Sequence, residues 1–486
     1  MNLSEMTFRR KFSKNFYKSL SCPLAEMTFT TNFTETERGD LYPLIEKADG
    51  TEESVLHEGY RVNGSATRLF CAFFPFATYK MTVSEISGEA GFIFKAPEVA
   101  ACISIKSTEN GRQIVASHKD GTESYPLPEK CSTEFELTVS LRPGFFDIFY
   151  TVNGVMDYLV SFEVPSFSNS TLDAFYQPAK VFVKLTDAYV KSVSSSIDCG
   201  IGQADIRPLK YENGDIITEG GKIFLTLSVR LIKGGYQAVV SWVPGTLEFK
   251  MEGALFYSAG DGRIHGDVAT ALVYDRRDKI WHLWQRSSAC GHVLAYTSFT
   301  SDIRYGVNII DVTGLPHMTG ADIDDKLFLG KKGDEDPEFI YDEKRGKWLF
   351  CLCRITEATR KYQYYFFESD RPDTGYQWIG CGPAGEETGG SIVKCGGKLY
   401  FVCGNSFSAK AEYRVYEWGK FDEFTYLKAD YPDGGFRGWG TILPINVGTR
   451  RRYFWLTFDR FLTSKAFNWS YGNVYCFEAE GIFRPE

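Results

Sequence analysis

FIYDEKRGKWLFCLC (339–353) reads as strand, tight turn, strand: an aromatic run, a charged break ending in Gly346, and a second aromatic run. The same figure returns in LVYDRRDKIWHLWQ (272–285) and IVKCGGKLYFVCG (392–404). Working outward, each copy has a polar or Gly-rich entry before it and one or two further strand-like runs after it. Five such units follow one another, at 204–253, 263–314, 334–380, 387–430 and 437–483. Self-similarity at roughly 45–60 residues, with about four strands per unit, predicts a five-bladed β-propeller.

The N-terminal part has a different rhythm. ISIKSTENGRQIVAS (103–117) predicts a hairpin turned at Glu109-Asn110-Gly111, and 135–164 predicts three strands turned at Pro143-Gly144 and Asn153-Gly154. These short strands predict a β-sandwich, a concanavalin-like jelly roll, over residues 1–195. Ser194-Ser195-Ser196-Ile197-Asp198-Cys199-Gly200 reads as the linker, and the propeller is expected over 200–486. The fold class is therefore all-β. With 16% aromatic residues and 46 glycines in 486, the composition agrees. Aromatics suit pleated, half-buried strands, and glycines suit turns and bulges.

A net charge of -8 and only short basic runs (Arg9-Arg10-Lys11, Arg450-Arg451-Arg452) argue against nucleic acid as a partner. LFCAFFPFATY (69–79) is about half the length of a membrane span, so no membrane association is expected. The N-terminal residues show no apolar signal core, and the 12 scattered cysteines suit buried thiols. Both point to the cytoplasm. No zinc spacing occurs among the cysteines, and no metal or cofactor is expected.

In a propeller, the innermost strands begin at one common face, so their entries converge. The entries here are Asp205; His265 and Asp267; Asp334, Glu335 and Asp336; Glu386 and Glu387; and Arg437 with Trp439. Carboxylates from different blades in one pocket raise one another's pKa, leaving one protonated and one ionised. Cleavage of a glycosidic bond needs that division.

At these entries the sequence resembles the five-bladed propeller glycoside hydrolases, the superfamily that includes families 43, 62, 117 and 32. Ala204-Asp205 resembles the family's Ala-Asp-Pro entry, with Ile206 in place of Pro. Asp336-Pro337-Glu338-Phe339-Ile340-Tyr341-Asp342 resembles its Asp-Pro-x-x-Phe-x-Asp segment, one residue shorter. Glu387-Thr388-Gly389-Gly390-Ser391-Ile392-Val393 resembles its Glu-Gly-Pro-x-Ile entry, with Glu386 the adjacent competitor. The resemblance implies an oligosaccharide-acting, exo-acting and inverting glycoside hydrolase. Asp205 would be the general base, Glu387 (or Glu386) the general acid, and Asp336 the residue that orients and tunes the acid. His265, Asp267, Glu335, Arg437 and Trp439 would contact substrate. Some family 43 members place a channel histidine beside calcium; no histidine follows His317 here. A carbohydrate-binding propeller without catalysis, and a phosphorylase or lyase on the same scaffold, are the alternatives.

Overall fold

The structure is a computed structural model. It describes the chain except for residues 1, 31, 33, 57–58, 289–292, 313–333, 356–360, 384, 386, 406–412, 431–435, 460–472, 482 and 484–486. The chain divides into two compact units: Met1–Ser21 with Cys199–Glu486, and Cys22–Asp198.

The first unit is a propeller-like ring of five sheets. Sheet I runs Gly202–Pro208, Lys222–Arg230, Gly235–Trp242, Phe249–Ser258. Sheet II runs Ala271–Asp275, Ile280–Ser287, Val293–Phe299, and sheet III runs Asp334–Asp342, Lys347–Ile355, Tyr362–Ser369, Gln377–Cys381. Sheet IV runs Glu387–Cys395, Lys398–Asn405, Tyr413–Glu417, Thr425–Tyr426, and sheet V runs Phe436–Val447, Arg450–Asp459, Val474–Ala479. The three quoted hairpins are the first two strands of sheets III, II and IV.

A different cluster fills the gap between each pair of neighbouring sheets. Phe224, Leu255, Tyr257 and Trp281 lie between I and II. Trp284, Phe339, Trp348 and Phe350 lie between II and III. Tyr364, Phe366, Phe401 and Tyr416 lie between III and IV. Val402, Tyr413, Trp455 and Phe477 lie between IV and V. Ala204 with Phe458, and the edge-on pair Trp242–Phe454 at 5.4 Å, close V onto I. Most of the aromatic excess is spent in these gaps.

Two strands depart from the sequence expectation. Gly306–Asp311, expected in the second blade, runs parallel to Phe249–Ser258 of sheet I. A side chain at Gly253 would collide with the Gly306 backbone, so this glycine permits the approach. With Ile264–His265 and Thr218–Glu219 also attached, sheet I has seven strands, while the other four keep a blade-like four or five. Thr7–Lys14, expected in the sandwich, instead pairs antiparallel with Val474–Ala479 and completes sheet V.

The second unit is one network of twelve strands rather than two separate sheets. Thr78–Lys95 and Lys180–Asp198 pair along most of their length and form its spine. Phe73, Tyr79, Phe94, Phe146 and Phe167 supply the aromatic core. The expected linker is not a linker at its start: Ser194, Ser195 and Ser196 pair with Lys80, Tyr79 and Thr78. No helix among the described residues is long and apolar enough to cross a membrane.

Candidate active site

The innermost strands of four sheets carry a related defect, one extra residue in sheets I, III and IV and two in V. The register jumps from Ala204 to Arg207 in sheet I, from Glu335 to Glu338 in III, from Thr388 to Ser391 in IV and from Arg437 to Gly440 in V. Such a bulge re-aims the side chains at its centre. The residue after the jump begins is left-handed in three of them: Asp205 (φ 49°), Asp336 (φ 49°) and Gly389 (φ 65°). Ala269, just before the first strand of sheet II, has φ 57°. A non-glycine residue in this region carries a strain of about 1–2 kcal/mol, and such strain gathers at functional sites. Asp205 and Asp336 thus occupy equivalent positions two sheets apart.

The two aspartates feel one another. Burial pushes the Asp336 carboxyl up to about 6, and the Asp205 and Glu335 carboxylates push the same way; Arg207 and the Gly389 N–H oppose them. Asp336 Oδ2 accepts from the Gly389 N–H at 2.9 Å and from the Cys353 thiol at 3.8 Å. Asp205 accepts from Arg230 at 3.4 Å. The Asp205 side chain is only 8% exposed and Asp336 is half-buried, whereas Arg207 is buried and donates to the Gly390 carbonyl. Further in lies the buried ion pair Lys210–Glu338. A carboxyl titrating near 6 can both give and take a proton near neutral pH.

The position two residues before each left-handed residue behaves differently. Gln203, Asp267, Asp334 and Glu387 are all buried. Gln203 donates to the Cys199 carbonyl at 2.8 Å, and Asp267 accepts from Ser288 Oγ at 2.5 Å. Asp334 is clamped by Arg354. Glu387 Oε1 accepts from Arg414 at 2.9 Å and from the Tyr416 hydroxyl. Burial pushes the Glu387 carboxyl up, against the pull of Tyr416 and Arg414. Its Oε2 is buried with no partner among the described residues.

Of the residues expected at the site, Asp205, Asp336 and Glu335 therefore share one electrostatic environment. Glu335 is held by Arg286 and, at 3.2 Å, by the Tyr362 hydroxyl. Glu387 is linked to them through the backbone of Gly389. His265 does not join them. It pairs with Tyr257 of the fourth strand of sheet I, on the side of the third strand, where Gly266 lies next to Gly235, and bonds Asp261 at 2.9 Å. The sequence entry His265-Gly266-Asp267 looked continuous, but the chain leaves sheet I only after His265. Glu386 lies outside the described residues, and for Arg437 and Trp439 the description is limited to their backbone in sheet V. Sequence reasoning missed Arg207 and the Gly389–Gly390 turn. Aligning the bulges would have revealed them, as Ala-Asp-Ile-Arg, Glu-Asp-Pro-Glu and Thr-Gly-Gly-Ser.

No protein-family model and no curated protein matches the chain. Among solved structures, it is similar to a family 117 glycoside hydrolase from the marine bacterium Zobellia galactanivorans, at 11% identity over 57% of this chain and 84% of that one, with a TM-score of 0.38. It is similar to the catalytic domain of a GH62 alpha-L-arabinofuranosidase from Coprinopsis cinerea, at 10% identity, 57% and 90% coverage and a TM-score of 0.38. It is also similar to carbohydrate binding module CBM66 from Bacillus subtilis, at 12% identity, 35% and 99% coverage and a TM-score of 0.24. At these scores, the site has to be read from the chain's own geometry.

Proposed function

We propose that the protein is a glycoside hydrolase acting on an oligosaccharide through the carboxylates at the first-strand bulges. The observation that carries this reading is the pair Asp205 and Asp336: equivalent strained positions, with one carboxyl pushed up to about 6 by burial and by the other. Asp205 activates water, Asp336 tunes the proton balance, and Glu387 supplies the proton to the leaving oxygen. An exo-acting, inverting course belongs to this reading; inversion requires about 6.5–9.5 Å between base and acid, to leave room for the water.

The test is a hydrolysis screen over a glycoside panel, with wild type beside Asp205→Asn and Glu387→Gln. Product anomers are followed by NMR. Loss of cleavage in both variants with an inverted product supports the reading, and undiminished cleavage in Asp205→Asn removes it. The sequestration of Glu387 by Arg414 and Tyr416 favours a second reading, a glycan-binding propeller without catalysis. In that case no glycoside is cleaved, and Asp205→Asn weakens only glycan binding.

A further inference from the structure

Three sheets meet at two glycines. Arg207 of sheet I donates from Nη1 to the Gly390 carbonyl of sheet IV. The Gly390 N–H donates to the Tyr364 hydroxyl of sheet III. The Gly389 N–H donates at 2.9 Å to Asp336 Oδ2, also of sheet III. The turn is built for close approach. Gly389 is left-handed at φ 65°, and a side chain at Gly390 would sit 2.5 Å from the Phe401 and Tyr364 rings. Nothing but glycine fits at 390 without moving an aromatic wall.

We propose that Arg207 is a positioning residue: it fixes the Gly389–Gly390 turn so that the turn's N–H pins one oxygen of Asp336 and leaves the other facing the reaction. Asp336 Oδ1 has no protein donor among the described residues, consistent with that division. The inference rests on the reading of Asp205 and Asp336 as acid–base machinery, but its geometry is independent of the substrate.

The charged and titratable groups facing Asp336 come from every side. Glu335 is on its own strand, Asp205 and Arg207 are on sheet I, and Cys353, Tyr362 and Tyr364 are on the adjoining strands of sheet III. Arg207 is the cation among them, and it holds the Asp336 carboxyl down against burial and the two carboxylates. Its removal therefore raises the midpoint at which Asp336 titrates.

The experiment labels the protein with 15N-glycine and follows amide shifts from pH 4 to 8. The Gly389 amide is recognised as the titrating signal that stops titrating in Asp336→Asn. In wild type it is expected to show a transition near pH 6; absence of any glycine amide with that behaviour overturns the proposal. In Arg207→Met the midpoint is expected to rise by about half a pH unit or more, and Arg207→Lys, which keeps the charge, is expected to recover part of the shift. An unchanged midpoint in a folded Arg207→Met, with only a lowered Tm, means Arg207 is merely structural and overturns the proposal. Where Arg207→Met does not fold, the wild-type titration alone decides. Failure of every glycoside to be cleaved, with the titration intact, sinks the proposed function and leaves this inference standing.

Discussion

Asp336 and Glu387 sit at the start of neighbouring sheets, two residues out of step, and they are held in opposite ways. Glu387 is buried and bound by two residues of its own sheet, Arg414 and Tyr416. Asp336 is partly exposed and takes its strongest contact from the next sheet, the Gly389 N–H. The same contrast runs round the ring. Asp267, Asp334 and Glu387 take their side-chain hydrogen bonds from their own sheet or the chain beside it, and Gln203 bonds Cys199 and also the Phe16 N–H. At the bulge position, Asp205 and Asp336 also have partners in their own sheets, Arg230 and Cys353, but their charges act on one another across sheets. A group tied within one sheet supports that sheet, whereas a group tied across sheets registers how the sheets stand relative to one another. The bulge layer therefore holds the carboxylates that act on one another, and the layer before it, Glu387 included, is held more firmly by its own sheet.

Substitutions can break this contrast. The largest effect is expected from Asp205→Asn, which keeps the shape and removes the base. Glycoside cleavage is expected to fall by about 100-fold or more, with Tm nearly unchanged. Glu387→Ala should do the reverse in stability. It leaves buried Arg414 and Tyr416 unpaired, at a cost of about 3–5 kcal/mol in denaturant unfolding. A cost under about 1 kcal/mol would erase the distinction between the layers. Asp336→Asn should stabilise the fold at neutral pH while lowering activity. Its folded carboxyl titrates at about 6, above the unfolded range, so Asp336 takes up a proton on folding at mildly acidic pH. Stability is then lost as pH rises from about 4 to 6, by at most about 3 kcal/mol because the residue is partly exposed. Asn cannot ionise, so the variant should lack that fall. The smallest effect is expected from Asp267→Asn, which retains an acceptor for Ser288. A loss of about 1 kcal/mol and ordinary activity would place it with the supporting layer.

The parts of this arrangement that were legible in the sequence are local. A strand–turn–strand hairpin such as 339–353 is specified by residues a few positions apart, so the repeats and their order could be read directly. What was not legible depends on pairing between distant strands. Thr7–Lys14 reaches sheet V across almost the whole chain, and Gly306–Asp311 joins sheet I rather than its sequence neighbours. Ser194–Ser196 look like a linker by composition, yet their backbone completes a long strand against Thr78–Lys80. Asp205 and Asp336 were found because an acid at a strand entry is conspicuous. Arg207 was overlooked because its role depends on the one extra residue of the bulge, which brings its guanidinium to a glycine carbonyl nearly two hundred positions away.

The central claim is that Asp205 and Asp336 form one electrostatic unit. The most direct measurement is the carboxyl 13C titration of Asp336 in wild type and in Asp205→Asn. The account predicts a midpoint near 6 in wild type and a lower one once the Asp205 charge is gone. A wild-type midpoint near the ordinary aspartate value, or one that Asp205→Asn leaves in place, would contradict it.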